Sequence, residues 1–493
     1  MLRGDQEERG YWDGLYFVNT GGASNTLKFV TLRDAGGARF NAHSDSMGGV
    51  FVGARDVQLS VESCRFENNS FAAIHVARDA SQVTINDTVF SGNELGLRVT
   101  GNHLVNMGDD LKFEGNDQDA IEVLSSLNTN STVLVRNGTI PGYAYNVQTN
   151  MEINAGVTIA AGATFTMKQD SKVEVAGSES FLAMQGTEEA PIVFGSANGQ
   201  PGDWRGISYG NSTSASNQIS YLTLADAGGK AYSVVSSHRG GLFVVGDNAT
   251  LNIKNSTFRN NSFAALSIAS DSTRVVVESS HFENNEEPIR THANTIAQLS
   301  EDLSFEGNDP QAIVVKNGSG YSAIAVTEDA IWPAFAVPVQ METQTDVEAL
   351  LTLSPGLRIR YAKDVGLLIS ETGKLAADAT DADPIIMEGL EDVTGYWKGV
   401  HFEGSLSNDN KLINVQLINP GSARWDVTYP SQTGLYLTSS ARVFVEDVTI
   451  SGSGHHGITV NRSTLVGCSG LSISESVDTD FYGITGVDEC EAL

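Results

Sequence analysis

Two groups of acids offer the first chemistry in this chain. Asp109, Asp110, Glu114, Asp117 and Asp119 lie in one short stretch, and Glu301, Asp302, Glu306 and Asp309 echo them 192 residues later. Oxygen-rich loops can hold calcium, a hard cation that prefers carboxylate and carbonyl ligands. The spacing matches no known calcium loop such as the EF-hand. Asp109, Asp110, Glu301 and Asp302 are therefore candidate ligands by residue type alone. Arg98 and Arg290 precede the two groups by the same interval. An arginine beside acids can bind an anionic substrate, or it can pair with a neighbouring carboxylate on the surface.

Three segments carry a second chemistry. Arg39 to Met47, Tyr232 to Arg239 and Arg424 to Gln432 are flanked by small or Gly-rich turns. They hold Phe40 and His43, Tyr232 and His238, and Trp425 and Tyr429. An exposed aromatic among polar groups can stack on a sugar ring, and loops on a rigid scaffold are where binding residues collect. The alternative is that these rings pack back on the scaffold as loop anchors. The histidines suggest no zinc site, which needs three or four converging ligands. His455-His456 reads as an exposed turn.

The elements that position these residues follow from a repeat. Tyr11-Trp12-Asp13-Gly14, Asp203-Trp204-Arg205-Gly206 and Tyr396-Trp397-Lys398-Gly399 share one pattern, with Trp12, Trp204 and Trp397 spaced by 192 and 193 residues. Phe66, Phe90 and Phe113 lie 24 and 23 residues apart, and Phe258, Phe282 and Phe305 copy them 192 residues later. A long repeat built of steps of about 23 residues predicts a solenoid. Its modules are 1–203, 204–396 and 397–493, joined in one continuous rod.

Short alternating runs such as Ile74/Val76, Val83/Ile85 and Leu97/Val99 predict half-buried strands. His75 is expected to point outward between its apolar neighbours. No stretch offers an amphipathic helix of normal length. Ala330 to Leu351 is the least regular region and reads as a short helix or a loop. Three strands per coil, stacked parallel, give an all-β, right-handed parallel β-helix. At about 4.8 Å per coil, about 21 coils make a rod on the order of 100 Å long. Asn69, Asn261 and Asn285 close Asn pairs after the Phe positions and read as turn ladders at a tight corner.

The run from Cys64 to Val76, Cys-Arg-Phe-Glu-Asn-Asn-Ser-Phe-Ala-Ala-Ile-His-Val, resembles coils of the pectate-lyase-like, right-handed β-helix superfamily. The stretch from Gly156 through Pro191-Ile192 to Trp204 resembles the repeated headpiece of bacterial exported and surface β-helix proteins. The likeness covers nearly the whole chain. It implies a fold more than an activity, because the superfold hosts lyases, hydrolases, epimerases, adhesins and inert stalks.

The enzymes' constellations are not met. Polygalacturonase-like hydrolases combine Asn-Thr-Asp, Asp-Asp, Gly-His-Gly and Arg-Ile-Lys in nearby coils, whereas here Asp109-Asp110 lies some 15 coils from His455-His456-Gly457. The Asp-Pro-His-Glu motif of alginate-type epimerases is absent.

Charge narrows the partners. Sixty Asp and Glu against 30 Lys and Arg give a net charge of -30. That argues against nucleic acid, whose phosphates need clustered Lys and Arg, and against polyanionic glycans unless a cation bridges. No run of apolar residues is long enough to span a membrane as a helix. Cys468 and Cys490 lie 22 residues apart, about one coil, so a disulfide between them and two unpaired thiols are both open readings. The first module lacks the strands that precede Trp204 and Trp397, so the sequence is expected to continue a longer chain whose export signal lies upstream.

The expected role is a secreted or cell-surface rod, structural or adhesive. It would bind a polysaccharide or cell-surface partner weakly through the repeated loops, along one face, with calcium as a candidate aid. The alternative is a lyase or glycoside hydrolase acting on an extracellular polysaccharide. A monomer and end-to-end self-association are both compatible with the sequence.

Overall fold

The computed structural model describes residues 1–18, 24–124, 131–316, 324–427 and 430–485. It divides into two compact units, Met1–Ala265 and Leu266–Leu493. Each is a parallel β-helix solenoid with three short strands per coil. Each strand pairs in parallel with its counterpart in the next coil, as Val50, Ile74 and Leu97 do at intervals of 24 and 23 residues. Period-two alternation sets the faces. In Gln58–Glu62 and Gln82–Asn86, Leu59, Val61, Val83 and Ile85 point inward and are buried, and the residues between them face out.

Inward rings stack coil on coil. Phe66, Phe90 and Phe113 stack with centroids 5.5 and 5.2 Å apart, as do Tyr145, Phe165 and Phe194 at 4.8 and 4.3 Å. In the second unit Phe282 stacks on Phe305 at 5.5 Å and Tyr361 on Trp397 at 4.4 Å. The three repeat tryptophans do one job. Each indole N–H donates to the carbonyl 21 residues on: Trp12 to Arg33, Trp204 to Ala225 and Trp397 to Ile418, at 2.9, 2.8 and 2.8 Å. The glycine two residues later is obligatory. Gly14, Gly206 and Gly399 have φ of 105°, 107° and 103°, and an added Cβ would sit 2.5, 2.2 and 2.5 Å from a carbonyl oxygen of the next coil.

The asparagines form a buried ladder. Asn69 accepts the Ala35 N–H at 3.0 Å and donates its side-chain amide to Asn93 at 2.8 Å. Asn93 passes the pattern to Asn116 at 2.9 Å, and Asp119 ends it at 2.7 Å. Asn261 accepts the Ala227 N–H at 3.0 Å, and in the second unit Asn285 donates to Asn308 at 2.9 Å. At each corner these side chains satisfy backbone N–H groups that no strand pairs.

Two findings differ from expectation. Residues 330–351 are strands, not a helix or loop: Ala330–Trp332, Val339–Met341 and Thr345–Val347, running into Leu350–Leu353. Trp332 is fully buried there. Prolines between very short runs hide the alternation.

The second finding concerns phase. Among the described residues of the first unit, 21 strands and the 3-10 helix Gly101–Asn106 separate Leu15–Phe17 from its repeat counterpart Gly206–Gly210. The helix takes one strand position, so the repeat covers 22 positions, seven coils and one strand. The two counterparts therefore lie on different sheets: Leu15–Phe17 pairs with Val50–Val52, and Gly206–Gly210 with Lys172–Ala176 and Leu242–Val245. The second unit shows the same offset, since Leu266–Ile268 and its counterpart His456–Asn461 lie on different sheets.

Substituting Asn93→Ala should destabilise the first unit by about 2–3 kcal/mol, because it orphans the Asn69 amide and leaves a cavity. Hydrogen exchange should accelerate at the Asn69 and Asn93 amides. Unchanged exchange there would show that the ladder contributes nothing.

Candidate functional site

The three loops share one local structure. The N–H of the first aromatic closes onto the residue six positions on: Phe40 to the Ser46 carbonyl at 2.8 Å, Tyr232 to the His238 carbonyl at 2.8 Å, and Trp425 to the Ser431 hydroxyl at 3.1 Å. This closure lays each ring on the outer face of a sheet. Phe40 stacks between Tyr16 and Phe51 at 5.1 and 5.9 Å. Tyr232 stacks on Phe243 at 5.3 Å, and its hydroxyl lies 3.0 Å from the Arg205 carbonyl. Burial pushes that phenol well above its ordinary pKa. Trp425 packs 5.1 Å from His401, with the Lys398 ammonium 4.2 Å from the indole centroid. Phe40 and Tyr232, expected as sugar-stacking residues, are thus loop anchors whose faces are taken by their own sheet. His238 lies 5.3 Å from Phe243, and His43 stands exposed. Tyr429 lies outside the described residues.

The first two loops do not share a face. The first joins Thr31–Arg33 to Val50–Val52, and the second joins Leu222–Ala225 to Leu242–Val245. Leu222–Ala225 belongs to the sheet of Val50–Val52, so the loops turn two different corners of the coil. The extra strand per repeat causes this, and it corrects the expectation of binding along one face.

The first loop also covers His75. Alternation does direct this side chain outward, but Met47, Phe51 and Phe71 enclose it and it is fully buried. Its Nε2 has no hydrogen-bond partner among the described residues. Burial and then the Arg98 charge hold its pKa down to about 4. His103, in the helix Gly101–Asn106, is held to about 4 by burial as well, with Thr100 and Ser81 on its ring nitrogens at 2.9 and 3.0 Å. Burial likewise lowers His401 to about 3.

The acids and arginines are committed to structure. Asp110 accepts the Asp87 N–H at 2.8 Å, and Asp302 accepts the Ser279 N–H at 2.9 Å. Both support turns whose residues have positive φ. The two Ser279 bonds and Ser300 hold the Asp302 carboxyl below its ordinary pKa. Asp109 and Glu301 are exposed beside them. Among the described residues no three His, Cys, Asp or Glu side chains converge as a metal site would need. Asp109, Asp110, Glu301 and Asp302 are therefore turn and surface residues, which corrects the calcium assignment. Arg98 pairs with Glu122 at 2.9 Å and lies over Phe71, and Arg290 pairs with Glu287 at 2.5 Å. Cys468 is disulfide-bonded, Cys64 is free and buried, and Cys490 lies outside the described residues.

What remains is a cleft beneath the third loop. Its volume is about 360 Å³, and Arg424, Gln432, His455, His456 and Asp478 give it polar walls. Asp478 lies 2.7 Å from His455 Nδ1, which leaves Nε2 for a ligand. His456 stacks on Tyr482 at 4.9 Å and meets Thr479 at 2.7 Å. Arg424 is exposed and forms no ion pair among the described residues. This site was missed because His455-His456 read as a turn. The interval from His455 to Asp478 is 23 residues, one coil, and that spacing was the available signal.

Comparison with known proteins adds no assignment. No protein-family model, curated protein or solved structure matches the chain.

The buried histidines predict a pH dependence with a definite sign. Their folded pKa values lie below the ordinary 6.5, so the unfolded chain takes up protons first as pH falls. The neutral-histidine contribution is complete above about pH 6.5 and is lost between pH 6.5 and 4, by roughly 3 kcal/mol each for His75 and His103. His75→Phe should reduce this slope by one proton while keeping the ring contacts. A wild-type melting temperature that stays flat from about pH 6.5 to 4.5 would contradict the assignment.

Proposed function

We propose that this protein is a secreted or cell-surface β-helix of the pectate-lyase-like type. Its role is structural or adhesive, with weak binding of a saccharide or partner surface at the cleft beneath the third loop. One observation carries the reading. Arg98, Arg290, Phe40 and Tyr232 are matched by neighbouring side chains or backbone, whereas Arg424 and the His455–Asp478 pair line an open cleft unmatched. Such a cleft offers a cation, an imidazole, an amide and a carboxylate, the mixed donors and acceptors that fix an oriented polar ligand. The disulfide at Cys468 supports an oxidising compartment. Among the described residues no helix is long and apolar enough to cross a membrane.

A second reading, a polysaccharide lyase, draws on the same pair. His455 Nε2 would remove the proton beside a uronate carboxylate while Arg424 neutralises that carboxylate. The released electron pair would form a double bond and expel the glycosidic oxygen, which gains a proton.

A panel of neutral and acidic polysaccharides, tested by pull-down with calcium and with chelator, separates the readings. Binding should fall about tenfold in Arg424→Ala and in His455→Ala, the loss expected for one polar contact to a charged group. Tyr232→Phe should leave it unchanged, and chelator should have no effect. Retention unaffected by Arg424→Ala and His455→Ala would contradict the cleft. Unsaturated product that disappears in His455→Gln would establish the lyase.

A further inference from the structure

We propose that a groove on a different sheet of the second unit binds a single uronic acid ring. This site goes beyond the cleft described above. The groove, about 280 Å³, lies on the outer face of the sheet formed by Lys374–Asp378, Lys411–Ile413, Arg442–Glu446 and Thr464–Ser469. Its floor is Phe444, with Val466 and Lys411 as its partners in the adjoining coils and Ile413 beside it. Gly467 makes room for the ring: a Cβ there would lie 2.7 Å from it.

One wall is a locked turn. The buried Asn410 donates its amide to the Ser405 hydroxyl at 2.7 Å and to the Arg442 carbonyl at 3.1 Å. The turn presents Ser407 and Asn408 to the groove. Asn408 makes no side-chain hydrogen bond among the described residues.

Charge selects the occupant. Lys411 is held by Asp378, and Lys374 lies 3.6 Å from Asp409. Glu446 follows Phe444 by two residues, on the side away from Arg442. Arg442 alone has no ion pair among the described residues, and it is exposed at the rim. A guanidinium binds a carboxylate through two parallel hydrogen bonds. An aromatic floor takes the C–H face of a pyranose, and the amide and hydroxyl wall meets its hydroxyls. One ring with one carboxylate fits this set.

The repeat shows that the fold does not require these groups. Arg442-Val443-Phe444 corresponds to Gln58-Leu59-Ser60 and Thr250-Leu251-Asn252 in the other modules. The coil forms there with polar residues in both outward positions, so the aromatic–arginine pair is particular to this groove.

Calorimetric titration of the full chain with methyl β-glucuronide, methyl β-glucoside and benzoate tests the proposal. The glucuronide should bind about tenfold more tightly than either of the others, the factor expected from one charge-assisted contact. Arg442→Gln should remove the preference for the glucuronide over the glucoside. Phe444→Asn, which installs the residue already used at 252, should abolish both. Arg424→Gln, in the other cleft, should change neither. Equal affinity for glucuronide and glucoside would overturn the proposal. So would benzoate binding as tightly as the glucuronide, sensitivity to Arg424→Gln without sensitivity to Arg442→Gln, or no saturable binding up to about 10 mM.

Discussion

Every coil depends on the next one for its backbone hydrogen bonds. A parallel strand of three to five residues has no partner within its own coil, and its apolar row is covered only when a neighbour stacks on it. This constraint holds equivalent residues at one strand spacing, about 4.8 Å. It explains why like sits on like: Phe66 on Phe90, Asn69 on Asn93, Phe165 on Phe194. It also explains the Trp-x-Gly signature. The tryptophan ties its coil to the carbonyl 21 residues on, and the glycine lets the chain pass close to that neighbour's backbone.

The same constraint governs the outer surface. Outward side chains form rows across coils, so a charge or ring on one strand meets whatever the next coil supplies. The row Tyr16, Phe51, His75, Arg98 and Glu122 runs through four successive pairings, and the first loop closes over part of it. Rings and cations in such rows satisfy one another. Groups available to a ligand arise where a row is broken by a loop, as at Arg424 and His455, or where it is unmatched, as at Arg442.

Much of the fold was legible because stacking imprints its period on the chain. The tryptophans, the Phe series and the short apolar pairs give the solenoid, the strand count and the coil length. The Phe-x-x-Asn spacing also marks Asn93, Asn116 and Asn308, which carry the ladder beyond the double-Asn positions.

The phase of the repeat was not legible. Twenty-two strand positions do not divide by three, and one of them is a 3-10 helix that resembles its neighbours in composition. Without that count, the loops of 39–47 and 231–239 read as sharing a face. His75 was misplaced for a related reason: alternation gives the direction of a side chain, not what folds over it. The His455–Asp478 pair joins residues one coil apart, and only the register brings their side chains together.

The central claim is that the repeated loops fold onto their own sheets and leave recognition to the second unit. Hydroxyl-radical footprinting of the free protein tests it most directly, by comparing rings of one kind. The account predicts slow oxidation of Phe40 and Tyr232 beside fast oxidation of Phe29, which is 76% exposed, and Tyr11, which is 44% exposed. Equal rates within the two pairs would mean that the loops stand open, and the account would be contradicted.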